Sequence, residues 1–160
     1  MTQSELSETL PVPQPTAHLL WTATVDVEDR IDLGATANGH RFMVPITGGS
    51  FEAGPHGEGL SGTVLPGGAD RQFLRPDGVK ELDAIYEMQI HDGPILSIQN
   101  RVIVDEQQSP ERYAMSVISV RAPEGKFDWL NRRLIVGTLQ TLRPTRRAVV
   151  IRAWMVTPDT

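Results

Sequence analysis

The sequence contains no cysteine, and this absence removes several kinds of chemistry at once. Without thiols there are no disulfide bonds, no thiolate nucleophile and no cysteine-ligated zinc. Positive charge is also scarce, because 15 lysine and arginine residues stand against 20 aspartate and glutamate residues. The net charge of -5 disfavours broad nucleic-acid binding, which needs a cationic surface. We therefore predict no nucleic-acid partner.

Long apolar runs are missing as well. No stretch approaches the roughly 20 apolar residues that span a bilayer, and the first residues lack the basic and apolar regions of a secretory signal. We predict a soluble, cytoplasmic protein with no membrane partner. Residues 1–17 are polar and carry Pro11, Pro13 and Pro15, which predicts a flexible tail. Residues 18–160 are long enough for a single domain with its own core.

Motifs for metals and cofactors are equally scarce. None of the four histidines pairs with another at a metal-binding spacing. No serine lies in a G-x-S-x-G context, and no glycine-rich segment ends in the Gly-Lys-Ser/Thr of a phosphate-binding loop. We therefore predict no metal and no cofactor.

The sequence does contain a strong period of two. Apolar and polar residues alternate through LLWTATVDV, VKELDAIYEMQIH and PILSIQNRVIV, which predicts half-buried strands. Hydrophobicity assigns one face of each strand to the interior. The residues on these faces are Leu19, Trp21, Ala23, Val25 and Val27, then Leu82, Ala84, Tyr86, Met88 and Ile90, then Leu96, Ile98, Asn100, Val102 and Val104.

Turn signals connect these runs. Asp-Gly pairs at 77–78 and 92–93 predict hairpins, and nine of the fourteen glycines fall in residues 48–78, which predicts tight corners. Helix signals are few, and residues 124–133 predict at most one helical turn or a loop. We predict about eight strands in a single antiparallel up-and-down β-barrel of the lipocalin type. A barrel of this size holds its own side chains or one small ligand.

Four motifs in a fixed order resemble one bacterial and fungal family. They are GHRFMVPITGGSFEAG, GLSGTVLPGGADRQFLRPDGVKELDAIYEM, DGPILSIQNR and WLNRRLIVG, and they cover roughly residues 18–156. The family is domain-of-unknown-function family 3237, also called uncharacterised protein family 0311. The resemblance implies a small antiparallel β-barrel and no particular activity. The segment SFEAGPHGEGLSG looks longer than its counterpart in the family, so a substrate preference does not carry over.

Three residues are the candidates for catalysis. Asp70 ends the PGGAD corner and is predicted as general base, although aspartate also serves as a turn residue. Tyr86 shares its face with Leu82 and needs a hydrogen-bond partner if buried, either Asn100 or the carbonyl of a ligand. Asn131, in the motif WLN, is a candidate to polarise a carbonyl, with capping of a turn as the alternative.

Six further residues are candidates for substrate binding. Arg75 and Arg101 are able to hold a carboxylate, or to form ion pairs on the sheet. Asp83 points to the face opposite Tyr86, and a salt bridge to an arginine is its alternative role. The remaining candidates are Asn100 beside Arg101, Trp129 at one barrel end and His40 at the barrel mouth.

This residue set favours an enzyme that needs only acid–base side chains. We predict an isomerase, cyclase or lyase that acts on a carbonyl-containing organic compound inside the barrel. One alternative is a non-catalytic binder or carrier of a small apolar metabolite. Another is an assembly module with a solid interior. Ile85 and Ile103 interrupt polar faces and predict a homodimer interface.

Overall fold

The computed structural model describes residues 1–107 and 112–159, most of which lie in β-strands. A short helix, α1 (Gln3–Glu8), precedes the first strand, and one turn of 3-10 helix (Asp128–Arg132) precedes the ninth. The strands are β1 (Gln14–Val27), β2 (Ile31–Thr36), β3 (Gly39–Ala53), β4 (Gly62–Val64), β5 (Ala69–Leu74), β6 (Lys80–Ile90), β7 (Ile95–Asp105), β8 (Tyr113–Arg121), β9 (Leu134–Thr141) and β10 (Ala148–Asp159).

The strands close into an antiparallel barrel. From β1 the order runs through β10, β9, β8, β7 and β6 to β3, and β3 pairs again with β1. Both β4 and β5 lie between β3 and β6, while β1 and β2 lie end to end along β3. Ten strands therefore fill eight positions, and the predicted β-barrel is confirmed. Closure leaves few exposed strand edges.

The alternation in the sequence determines which side chains enter the barrel. Along β6 and β7 the apolar residues of the predicted interior faces are buried. In β1 the register shifts between Leu19 and Trp21, so Leu20 and Trp21 are both fully buried. The sequence had assigned Leu20 to the outer face, and a β-bulge of this kind is what disrupts a strict period of two.

The barrel interior has two unlike halves. One half is solid, filled by large side chains such as Trp21, Phe51 and Met88 from the strands. Phe127 and Leu130, from the segment around the 3-10 helix, belong to the same cluster. The other half, toward the ends of β1, β7 and β9 and the start of β6, is lined by smaller aliphatic residues and contains a cavity.

The first 17 residues, predicted as a flexible tail, contain helix α1 and the start of β1. Helix α1 begins with a capping box, in which Thr2 Oγ1 accepts from the backbone N–H of Glu5 and the Glu5 carboxylate accepts from that of Thr2. Strand β1 already begins at Gln14, which pairs with Asp159 of β10. Among the residues that the structure describes, 14–19 pair only with β10, and proline is tolerated in such an edge position.

The two isoleucines predicted at a dimer interface are exposed. Ile85 and Ile103 lie on the outer face of the sheet, with 57% and 51% of their surface exposed.

Within the described residues, no helix has the length and apolar character needed to cross a bilayer.

Candidate functional site

The hollow half of the barrel contains a cavity of about 200 Å³. Its walls are aliphatic, so an occupant with an apolar body would be desolvated there. The aliphatic lining residues are Val25, Val27, Val44, Ile46, Leu82, Ala84, Val102, Val104, Leu139, Val149 and Ile151.

A row of three residues crosses the inner wall of this cavity. Asp70 on β5 is paired with Ala84 on β6, and Ala84 is paired with Asn100 on β7. Side chains in register on adjacent strands lie about 5 Å apart, and the small Ala84 leaves space between the carboxylate and the amide. Tyr86 lies two residues along β6 from Ala84, so it projects to the same side. All four residues line the cavity.

Of the two oxygens of the Asp70 carboxylate, one accepts a hydrogen bond from a side chain and the other has no partner among the described residues. Gln72 Nε2 donates to Asp70 Oδ2 over 2.9 Å, while Asp70 Oδ1 is buried without a partner in the described protein. Burial raises the pKa of Asp70, and the nearby charge of Asp83 adds to the rise. The hydrogen bond from Gln72 and the nearby backbone N–H of Asp83 oppose the rise in pKa. A carboxylate with a raised pKa and a free oxygen in a cavity is suited to accept a proton.

Asn100 and Tyr86 add two more polar groups to the cavity wall. Asn100 is 1% exposed, and its Oδ1 has no hydrogen-bond donor in the described residues. Tyr86 is also 1% exposed, and burial, followed by the charge of Asp70, raises the pKa of its hydroxyl. Tyr86 therefore stays neutral at physiological pH and remains able to donate a proton in a hydrogen bond.

Three cationic side chains line the cavity at its partly exposed end, the mouth. They are Lys80 at the start of β6, Arg112 just before β8 and Arg143 just after β9. A shallow surface pocket beside the mouth is lined by Lys80 and Arg143, together with Arg30 and Asp29. Among the described residues that line the cavity, Asp70 carries the only carboxylate.

Two of the predicted residues near the 3-10 helix lie away from the cavity. Asn131 is exposed, and both polar atoms of its amide bond to the backbone of Ala122, each over 2.8 Å. Asn131 therefore ties the 3-10 helix to the end of β8, which corresponds to its alternative role as a cap. Trp129 packs partly buried against the solid half of the core, as expected for a residue that closes one barrel end.

Arg75 and His40 also lie outside the cavity. Arg75 forms an ion pair with Asp77 in its own hairpin and approaches Glu81 at 3.8 Å. His40 Nε2 is 2.7 Å from Asp32 Oδ1, and the imidazole stacks on the ring of Phe42. Neither side chain is available to a molecule inside the barrel.

Asp83 and Arg101 face outward from the sheet. They are paired across β6 and β7, and both line a shallow groove on the outer surface. Asp83 Oδ1 accepts a hydrogen bond from Gln99 Nε2 over 3.0 Å. Asp70, Tyr86 and Asn100 are thus the predicted site residues that the structure brings together.

The sequence did not predict several polar residues that line the cavity, among them Gln72, Lys80, Arg112 and Arg143. Gln72 lies two residues after Asp70, so the period of the strand alone would have placed both side chains on one face. Lys80 and Arg143 are 63 positions apart in the sequence, and only the closure of the barrel brings them to one mouth. No group of three or more histidine and carboxylate side chains in the described chain is arranged to hold a metal.

Replacing Gln72 with leucine is expected to raise the pKa of Asp70 further. The hydrogen bond from Gln72 stabilises the ionised carboxylate, so its loss favours the protonated form. Titration of the Asp70 side-chain carboxyl by 13C NMR measures the effect. Gln99→Leu is the matched control, because it removes the corresponding bond to Asp83 on the outer face and leaves the titration of Asp70 unchanged. A lower pKa for Asp70 in Gln72→Leu would contradict this account of the site.

The fold and the site define a class of protein, a small β-barrel whose apolar cavity has a few polar side chains on its inner wall. The sequence profile of the family described as "Protein of unknown function (DUF3237)" matches residues 15–156. The chain belongs to this family, as the sequence motifs predicted.

Relatives carry the same family designation. A UPF0311 protein from Bradyrhizobium diazoefficiens is 34% identical over 132 residues, which covers 74% of this chain and 84% of the relative. A UPF0311 protein from Rhodopseudomonas palustris is 38% identical over 81 residues, or 51% of this chain. That match spans half the length of the R. palustris protein.

Solved structures extend the comparison over almost the whole chain. The R. palustris protein of unknown function superimposes with a TM-score of 0.79 at 28% identity, covering 91% of this chain and 99% of that one. A "beta-barrel like protein" from Acinetobacter baumannii gives a TM-score of 0.78 at 24% identity, with coverage of 92% and 99%. A protein described as an enzyme, from Penicillium herquei, gives 0.70 at 22% identity, with coverage of 92% and 98%.

Proposed function

We propose that the protein is a cofactor-independent enzyme that moves a proton on a small, largely apolar carbonyl compound inside the barrel. The observation that carries this proposal is Oδ1 of Asp70, which is buried in an apolar cavity beside Asn100 and Tyr86 and has no hydrogen-bond partner in the part of the chain that the structure describes. Buried polar atoms without partners are uncommon in folded proteins and recur at catalytic sites. The description of the Penicillium herquei protein as an enzyme agrees with the proposal.

Each polar group has a separate role in the proposed reaction. Asp70 Oδ1 removes a proton from the carbon next to the carbonyl, and the electron pair of the broken C–H bond moves toward the carbonyl oxygen. The neutral hydroxyl of Tyr86 and the amide of Asn100 donate hydrogen bonds to that oxygen as it gains charge. Asp70 then returns the proton to a different carbon or to a leaving group. Isomerisation, cyclisation and lyase reactions all share this first step.

Deuterium exchange tests the shared step without knowledge of the natural substrate. The protein is incubated in D2O with butanone, cyclohexanone and 6-oxoheptanoate, and 1H NMR follows the protons beside each carbonyl. Exchange above the buffer rate is expected for at least one compound. Ala84→Leu, which fills the space between Asp70 and Asn100, is expected to suppress that exchange while the thermal transition stays cooperative. Exchange that persists in Ala84→Leu would exclude the cavity as its location.

Binding without chemistry is the second candidate function. The aliphatic character of most lining residues favours it, because such walls retain an apolar molecule with no need for a base. An apolar compound that binds in the wild-type cavity but undergoes no exchange, while Asp70→Asn binds it equally well, would favour the carrier over the enzyme.

A further inference from the structure

The cavity mouth has the opposite charge to the chain as a whole. The protein carries a net charge of -5, yet Lys80, Arg112 and Arg143 all line one opening of the barrel. Cationic side chains grouped at an opening with low-dielectric walls concentrate the field there and attract anions. This grouping is unexpected for a chain that has only two lysines, at positions 80 and 126.

The three cations differ in how they are held. Arg143 Nη1 is 3.2 Å from Asp29 Oδ1, and Arg112 Nε is 3.3 Å from Glu106 Oε1, so surface carboxylates fix both guanidinium groups. Among the described residues, no carboxylate oxygen lies within 4.0 Å of the Lys80 ammonium. Lys80 lines both the cavity and the shallow pocket beside it.

The position of Lys80 separates the mouth from the polar row. Lys80 and Ala84 lie four residues apart on β6 and face the same side, which places their Cα atoms roughly 13 Å apart at about 3.3 Å per residue. Leu82 lies between them and also lines the cavity. An occupant with an anionic group at the mouth therefore places its apolar body along Leu82 and a polar group near Asp70. The reverse orientation would place two negative charges side by side.

We infer that the mouth is an anion-binding subsite, and that the protein acts on small carbonyl compounds that carry a carboxylate. Lys80 is the anchor of this subsite, and Arg143 adds charge. The proposed function determines what happens to the bound molecule, whereas binding of the anion at the mouth is tested without turnover.

Calorimetric titration with an acid and its ester tests the subsite. The probes are 6-oxoheptanoate, in which an apolar chain separates the carboxylate from the ketone, its methyl ester and inorganic phosphate, each at low ionic strength. The acid is expected to bind more tightly than the ester. Lys80→Met is expected to lower the affinity for the acid by roughly tenfold to a hundredfold, the range for a hydrogen bond to a charged group. The affinity for the ester should not change, and Lys80→Arg should retain most of the affinity for the acid. If inorganic phosphate displaces the acid more effectively than acetate does at the same ionic strength, the subsite binds phosphate-bearing molecules. That result would overturn the assignment to carboxylates.

Lys126→Met is the matched control. Lys126 is the chain's other lysine and lies beside Phe127, in the solid half of the barrel, so its loss should change neither affinity. Equal affinities for acid and ester in the wild type would overturn the inference. No measurable binding of the acid, or an unchanged affinity for it in Lys80→Met, would also overturn it.

The two proposals fail in different ways. Proton exchange on the neutral ester, with no preference for the acid, would support the enzyme and overturn the subsite. Preferential binding of the acid that depends on Lys80, with no proton exchange on any probe, would support the subsite and remove the catalytic role.

Discussion

Asp70→Asn is expected to lower the rate of proton exchange by roughly 10²- to 10⁴-fold, the contribution typical of a positioned general base. Asparagine has the shape of aspartate but cannot accept the proton, so binding of the carbonyl compound should persist while the chemistry is lost. The rate is measured by 1H NMR in D2O on whichever compound exchanges with the wild type. A rate close to that of the wild type would remove Asp70 from the mechanism.

The same substitution is expected to stabilise the protein at neutral pH. Because the folded-state pKa of Asp70 lies above its unfolded value, this group contributes stability below the unfolded pKa. That contribution is lost as the pH rises through the folded pKa. Asparagine does not ionise, so the melting temperature of the variant should exceed that of the wild type by more at pH 7 than at acidic pH.

The pH dependence of the reaction follows from the same raised pKa. Only ionised Asp70 accepts a proton, so kcat/KM should rise with pH along a limb whose midpoint lies above the ordinary range of aspartate. Asp83→Asn is the control for the loss of turnover, because Asp83 lies on the opposite face of the neighbouring strand. Since the charge of Asp83 contributes to the raised pKa of Asp70, the midpoint of the limb should move to lower pH in this variant. We expect it to retain turnover and to change stability by no more than about 0.5 kcal/mol.

Asn100→Leu is expected to make the protein more stable, not less. The wild type buries the amide oxygen of Asn100 without a donor in the described protein, and an unsatisfied buried polar atom costs about 1–3 kcal/mol. Leucine has a similar size and no polar atom to satisfy. The expected rise in melting temperature is roughly 2–12 °C, at about 2–4 °C per kcal/mol for a chain of this length. Binding and proton exchange of carbonyl compounds should fall at the same time.

Asn131→Leu provides the opposite case within the same chain. Its amide forms two hydrogen bonds with the backbone of Ala122, so leucine should lower the melting temperature there. Thermal unfolding of the two variants by circular dichroism separates an amide that serves binding from one that serves the fold. A lower melting temperature for Asn100→Leu would show that its amide is satisfied in the folded protein.

The sequence predicted much of the barrel because the alternation of side chains is a local property. The period of two predicted Tyr86 and Asn100 on interior faces without any knowledge of which strands pair, and both residues line the cavity. It failed at Leu20, because the bulge arises where β1 pairs with β10, a strand distant in the sequence, and a local pattern does not record that pairing.

The site was harder to predict because it depends on pairings between distant segments. Asp70 was expected on a corner, whereas it is the second residue of β5 and lies in register with Ala84. The amide of Asn131 bonds to backbone atoms nine residues away, which no side-chain pattern records. Arg75 and Arg101 looked as suitable for an anion as Lys80, and only the direction of each side chain relative to the barrel wall distinguishes them.

The division of the barrel into a solid and a hollow half makes Tyr86 the floor of the cavity. Its fully buried ring adjoins Met88 and Ile98 of the filled half, while Val102, Val104 and Leu82 form walls above it. Tyr86 therefore limits the depth of the cavity, and the aliphatic side chains above it limit the width of the cavity. Homologous barrels that differ at these positions would accept ligands of different length, while the packed half of the barrel stays the same.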